Sequence, residues 1–293
     1  MSGNRYTDAA RRYHDATTHS RQSVRVGARG LDWDSKPNPF KIYPRLPAVA
    51  LSRDFPVPAL DALTAISTEP AAAAALDVER LAALLFFCAG VTRRATYPGG
   101  GTMYFRAAPS TGALYQTEVY VVVGEVEGLV SGVYHFSPGD FALRRLREGD
   151  FRGALAIAAA DEDLAGRPAT LVLSAIYWRN TWKYQARGYR HLFWDSGSML
   201  ANLFAAATAL DLPARLVTGF VDLEVNGLLA LDAEKEGALV LVPVGGHCRP
   251  ASVSPVVASI RPAVIPLSSS EVDYPLLHHA YETSSLDSES EVS

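Results

Sequence analysis

Four stretches are dense in β-branched and aromatic residues and bounded by Gly, Pro or Asp: Thr117 to Gly124 (TEVYVVVG), Gly132 to Phe136 (GVYHF), Phe141 to Leu146 (FALRRL) and Thr170 to Tyr177 (TLVLSAIY). Each predicts a strand. Ser137-Pro138-Gly139-Asp140 joins the second to the third as a hairpin, and residues 214–221 (ARLVTGFV) and 237–244 (GALVLVPV) predict two later strands. Apolar residues at helical spacing run from Asp77, a capping residue, to a stop at Gly90. Shorter helical patterns cover Asp150 to Ala160 and Leu223 to Leu231, and a strongly apolar one covers Asp195 to Leu210. No repeat and no interior linker divides these elements. They predict one α+β domain, its helices packed on a mostly antiparallel sheet.

The two ends read differently. Residues 1–30 are polar and carry six arginines, with a weak helical pattern over Thr7 to His19, which suits an arm better than a core element. Leu31 to Pro58 is so rich in proline that an extended, wrapping segment is expected. The alanine run Ala71 to Ala75 after Pro70 is read as a lead into the helix that follows. Residues 281–293 (YETSSLDSESEVS) are acidic and serine-rich, a composition that predicts a disordered tail. The folded body is then residues 31–280.

Composition narrows the function classes. The 293 residues are 48% hydrophobic, ample for a real core. Lys and Arg number 27 against 31 Asp and Glu, so the basic excess of a nucleic-acid binder is missing. Two cysteines, Cys88 and Cys248, make no disulfide framework or metal-ligand pattern, and the seven histidines are scattered. No metal site is expected. Without an apolar signal region at the start or a run of membrane length, a soluble, cytoplasmic protein is expected.

The chain holds no GxxxxGK[ST], HExxH, GxSxG or GxGxxG between strand and helix. Gly99-Gly100-Gly101 could cradle a phosphate but, with no helix after it, reads better as a mobile loop. Two other segments suggest chemistry. In Tyr104 to Tyr120 (YFRAAPSTGALYQTEVY) Arg106 precedes a Pro-Ser-x-Gly turn that runs into a strand. Such a turn presents a guanidinium, a hydroxyl and backbone N–H groups to an anion or a polar ring edge, although a plain loop-to-strand turn has the same sequence. In Trp178 to Trp194 (WRNTWKYQARGYRHLFW) Arg179, Lys183, Arg187 and Arg190 step by four, four and three with no acid before Asp195. A helix would line them on one face, where an anionic ligand would compensate their repulsion. The alternative is that their stems cover the rings and their heads pair with distant carboxylates.

With LDW and PFKIYP, FFCAGVTRR, YFRAAPSTGALYQTEVYVVV, GVYHF, WKYQARGYRHLFWDSGSMLANL, and GFVD with LLALDAEKEGALVLVPVGG, the chain resembles the flavin-dependent nitroreductase superfamily from about Leu31 to Gly246. Within it the resemblance is to the SagB-type, azoline-oxidising dehydrogenases. It implies an FMN-binding α+β fold over residues 31–280 and a homodimer with flavin at the subunit interface. It also implies that Arg106, Pro109, Ser110 and Gly112 lie on a flavin-contacting turn, that Arg187 and Arg190 contact the flavin or its phosphate, and that Lys183 and Tyr184 match the catalytic Lys-Tyr pair. Two departures stand out. The Arg-Arg-Ser phosphate segment of many members is replaced near Leu63 to Thr68 by LTAIST, so Arg93, Arg94 or Arg106 would have to substitute; and Ser198 stands where many SagB-type sequences have histidine.

The implied reaction removes a proton from an α-carbon while hydride passes to flavin N5. Free Lys and Tyr titrate near ~10, and a cluster of Lys183, Arg187 and Arg190 would lower either. Adjacent helical residues diverge by about 100°, so Lys183 and Tyr184 can serve one substrate only if the helix is irregular there. Two further readings stay open: an NAD(P)H-dependent nitro- or quinone reductase, which needs no dedicated base, and a non-catalytic, peptide-binding scaffold.

Overall fold

The structure, a computed structural model, describes residues 6–26, 30–98, 101–124, 126–251 and 253–292. Among them the strands are β1 (Ala48–Ala50), β2 (Val91–Tyr97), β3 (Gly101–Arg106), β4 (Thr117–Val123), β5 (Gly132–Ser137), β6 (Ala142–Glu148), β7 (Ala169–Ile176) and β8 (Glu236–Val244). The helices are α1 (Thr7–Thr17), α2 (Arg21–Val26), α3 (Ala62–Ser67), α4 (Val78–Ala89), α5 (Arg152–Ala158), α6 (Tyr177–Tyr184), α7 (Gly188–Ala209), α8 (Asp222–Leu228), α9 (Pro275–Ser284) and α10 (Glu289–Val292).

Six strands form one sheet in the order β1-β6-β5-β4-β7-β8, every neighbouring pair antiparallel. The expected α+β architecture is therefore borne out. β4 shows why these residues choose a sheet: Val119, Val121 and Val123 point into one core, Tyr120 and Val122 into a second on the opposite face. Burying each such side chain contributes roughly 2 kcal/mol. Leu81, Leu84 and Leu85 of α4 and Leu192 and Leu203 of α7 complete the first core; Leu155 of α5 and Val225 and Leu228 of α8 complete the second. Asp77 caps α4 by accepting from the Arg80 N–H at 2.7 Å.

Several expectations change. Residues 214–221 form no strand; only isolated bridges Ala214 to Val244 and Val217 to Leu241 touch β8. The hairpin β2–β3 was hidden because its strands stand outside the main sheet and leave Thr92, Arg93, Arg94 and Thr96 exposed, so no apolar alternation marks it. The helix expected from Asp195 begins seven residues earlier, and residues 71–75 are not helical. The amino-terminal arm contains α1, which buries Ala9, Tyr13 and Thr17. The carboxyl-terminal end is not a disordered tail: α9 buries Leu277, Ala280 and Tyr281, Leu286 bridges to Val221, and its N–H donates to Asp222 at 2.8 Å. Those few anchored residues outweigh the polar composition around them. Gly99 and Gly100 of the glycine triplet lie outside the described residues. No helix among the described residues is long and apolar enough to cross a membrane.

Candidate functional site

β7 runs directly into α6, which delivers the aromatic and cationic segment to the end of the sheet. Arg179 and Asn180 are fully buried on α6. Arg179 donates to Glu118 of β4 and to the Tyr115 carbonyl, and Glu118 also meets His135 Nε2 at 2.8 Å. Burial pushes the Glu118 carboxyl up, but Arg179, the His135 hydrogen bond and charge, and Arg106 outweigh it and hold the group down at about 2.

α6 stops at Gln185, whose φ of 54° and ψ of −147° cannot continue a helix. One 3₁₀ turn over Gln185–Arg187 follows, and α7 begins at Gly188. A side chain at Gly188 would start 3.0 Å from Asn180 Oδ1 and 3.3 Å from the Thr181 nitrogen, so the close return of α7 over α6 requires glycine.

α7 carries Asp195, buried two turns in, against the turn between β3 and β4. Its carboxylate accepts from Ser110 Oγ at 2.6 Å, the Thr111 N–H at 2.8 Å, Thr111 Oγ1 at 2.7 Å and Gln116 Nε2 at 2.7 Å. The turn itself is irregular, with positive φ at Gly112, Ala113 and Tyr115. Asp195 is what fastens this strained backbone to the helix layer.

The Pro-Ser-x-Gly turn and the cationic segment therefore meet. A methyl group on Gly112 would lie 2.8 Å from Tyr184 Oη and 3.3 Å from Lys183 Nζ. Lys183 is exposed and has no ion-pair partner among the described residues. Its Nζ sits 5.4 Å from the Tyr184 ring centre, and Tyr184 stands edge-on to His191 at 4.6 Å and 89°. The break at Gln185 supplies the irregularity these neighbours need to share one place.

A model of the nitroreductase family matches residues 70–246. The chain belongs to the nitroreductase family. It is 33% identical over 171 residues to a nitroreductase-family protein of Methanocaldococcus jannaschii, covering 58% of this chain and 81% of that one. It is 30% identical over 142 residues to the microcin B17-processing protein McbC of Escherichia coli, covering 46% of this chain and 52% of McbC. Among solved structures, a nitroreductase-family protein of Anabaena variabilis superposes with a TM-score of 0.72 at 28% identity, over 96% of this chain and 55% of that one. The chain thus spans about half the length of McbC and of the Anabaena protein. The resemblance to the SagB-type branch of the superfamily is borne out, and the chain is a flavin-dependent oxidoreductase by family.

The residues at the turn have chemistry that a flavin would use. Gly112 opens the backbone, Lys183 offers a cation with no ion-pair partner among the described residues, and Pro109 is exposed in the same turn, a set suited to a flat ring with a polar, electron-accepting edge. Of the site residues expected from sequence, Gly112, Lys183 and Tyr184 come together, with Pro109 and Ser110 on the same turn as Gly112. Arg93 and Arg94 lie exposed on β2, with Arg93 over the Phe105 ring. Arg106 is buried beneath the turn, donates to the Pro39 carbonyl at 2.7 Å and stacks on Tyr115. Burial pulls its pKa down to about 10, so it stays cationic at neutral pH.

Arg187 and Arg190 reach across to α1. Arg187 donates to the Thr17 carbonyl, and Arg190 to Thr17 Oγ1 and the His14 carbonyl, both 3.0 Å away. The carboxyl end of α1 thus supplies partners for both arginines. Asp195, Gln116, Asn180 and His191 were missed as a group. A buried acid in the apolar run WDSGSML was the available signal. A cavity of about 1030 Å³, lined by Lys41, Glu236 and residues of the 257–267 segment, holds none of these residues. No cluster of three or more His, Cys, Asp or Glu among the described residues could hold a metal.

Proposed function

We propose that this chain is an FMN-dependent dehydrogenase of the SagB type that oxidises an azoline-like heterocycle in a peptide or a related small molecule. The observation that supports it most is the approach of Lys183 Nζ and Tyr184 Oη to Gly112. The likeness to McbC, a microcin B17-processing protein by name, favours a peptide substrate. When bound, the flavin supplies the two-electron acceptor, taking hydride at N5. Ser110 and Gly112 shape the turn against which the ring lies. Arg93 and Arg94, exposed and near the turn in sequence, are the cations left for the phosphate. Tyr184, entering the step as the phenolate, takes up the proton released from the substrate's α-carbon, and the Lys183 charge stabilises negative charge developing beside it. The proposal includes a homodimer with flavin at the interface. In support, Phe193, Trp194, Met103 and Tyr97 remain 41–54% exposed, more large apolar surface than a lone chain benefits from.

The test is the absorbance spectrum of the purified protein, then anaerobic bleaching by an azoline peptide and by NADPH. Bound flavin bleached by the azoline, with Lys183→Ala retaining flavin but losing about 10²–10⁴-fold in rate, is expected. Fast bleaching by NADPH that survives Lys183→Ala would make the protein a nitro- or quinone reductase, and a colourless protein that takes up no FMN would make it a scaffold.

A further inference from the structure

Behind the turn runs a chain of buried hydrogen bonds whose polarity is fixed from one end. Asp195 is a carboxylate and can only accept, so the group of Gln116 that faces Oδ2 at 2.7 Å is its NH₂. The same NH₂ also donates to the His191 carbonyl at 3.2 Å, a second acceptor that rules out the flipped amide. Gln116 must then turn its oxygen to Asn180, which answers with its own NH₂ at 3.2 Å. That leaves Asn180 Oδ1 facing His191 Nδ1 at 2.8 Å. An amide oxygen cannot donate, so Nδ1 carries the proton. His191 is 3% exposed, and burial lowers its pKa; Asp195 opposes this, while Arg187, His19 and Arg190 add to it. The ring is thus neutral, with its lone pair on Nε2, for which no described residue supplies a hydrogen bond.

This ring packs against Tyr184 on one side and against Trp194, at 5.2 Å, on the other. Gly188 keeps the space at Asn180 clear. We infer that His191 is a positioning residue for the Lys183–Tyr184 pair, locked by the Asp195–Gln116–Asn180 chain as the neutral Nδ1–H tautomer so that its ring holds Tyr184 beside Gly112. The inference rests on the proposed proton-transfer role of that pair. Its physical content is that orientation set at the turn is transmitted through three side chains to the reacting phenol.

The experiment is a long-range ¹H–¹⁵N spectrum of the full-length protein labelled in histidine, with the His191 signals assigned by their loss in His191→Gln. A neutral imidazole protonated on Nδ1 at pH 7.5 is expected, against the Nε2–H form that free histidine favours. In Asn180→Leu the signals should move to the Nε2–H form and kcat for the azoline should fall about tenfold with KM changed less than about twofold. An Nε2–H or doubly protonated ring in the unmodified protein overturns the inference, as does full kcat in a folded Asn180→Leu. The spectrum needs no substrate. If the tautomer and the Asn180 effects are found but Lys183→Ala is active, the proton-transfer role fails and the inferred positioning of that pair fails with it; the wrong tautomer beside an inactive Lys183→Ala leaves the proposed function standing and removes only His191.

Discussion

The two halves of the Trp178–Trp194 segment settle their positive charges in opposite ways. On α6, Arg179 is fully buried and neutralised by a buried carboxylate, Glu118, which is itself shared with His135. Beyond the break, Arg187 and Arg190 are half-buried and are met by carbonyls at the end of α1, where a helix carries partial negative charge. Lys183 stands between the two solutions with neither kind of partner among the described residues, beside the Gly112 turn. Four cations at helical spacing therefore sit in three different environments. The position left over once the fold has compensated the others is the one with chemical potential.

The largest expected effect tests the buried half. Arg179→Met leaves Glu118 in the core with only His135 and the more distant Arg106, and should cost about 3–5 kcal/mol in urea unfolding. The double change with Glu118→Gln should recover part of this. Because the folded-state pKa of Glu118 is held down at about 2, this carboxyl contributes stability above its ordinary value near 4.5, and that stability is lost as pH falls toward 2. The acid-unfolding midpoint of Arg179→Met should accordingly move to higher pH. A change of less than ~1 kcal/mol would mean the buried pair is not what anchors α6.

The second half should respond differently. Arg190→Ala removes two hydrogen bonds to α1 that are partly solvated, each worth about 1 kcal/mol or less. Global stability should barely move, while backbone hydrogen exchange in Thr7–Thr17 quickens selectively. Uniform protection of α1 in that variant would show that Tyr13, which donates to the Ala186 carbonyl at 2.8 Å and packs on Tyr189, together with Arg187 holds the helix without Arg190.

The central strands and α4 were legible in the sequence because their side chains face a core on a regular period: Val119 to Val123 and Leu81 to Leu85 need no distant information. The meeting of Ser110 with Lys183 was suggested by two motifs, but what joins them, Asp195, lies 85 residues from Ser110 and its role exists only after α7 folds back. Hydrogen-bond direction through Gln116 and Asn180 leaves no mark on periodicity. The helical phase of the four cations was readable and misleading, since it assumed a continuous helix through Gln185. Residues 214–221 failed for a related reason: apolar and β-branched residues there pack on β8 through two bridges without a ladder.

The smallest effect concerns the break that separates the halves. Gln185 holds φ 54° and ψ −147°, a conformation that costs a side-chain-bearing residue of order 1–3 kcal/mol and glycine almost nothing. Gln185→Gly relieves that strain but adds freedom to the unfolded chain, about 0.5–1 kcal/mol in the other direction. The net gain should be about 1 kcal/mol, a rise of a few degrees in Tm by calorimetry. If Tm falls instead, contacts of the Gln185 side chain outweigh its backbone strain, and the separation between the carboxylate-paired and helix-capped cations would depend on side-chain packing at the kink.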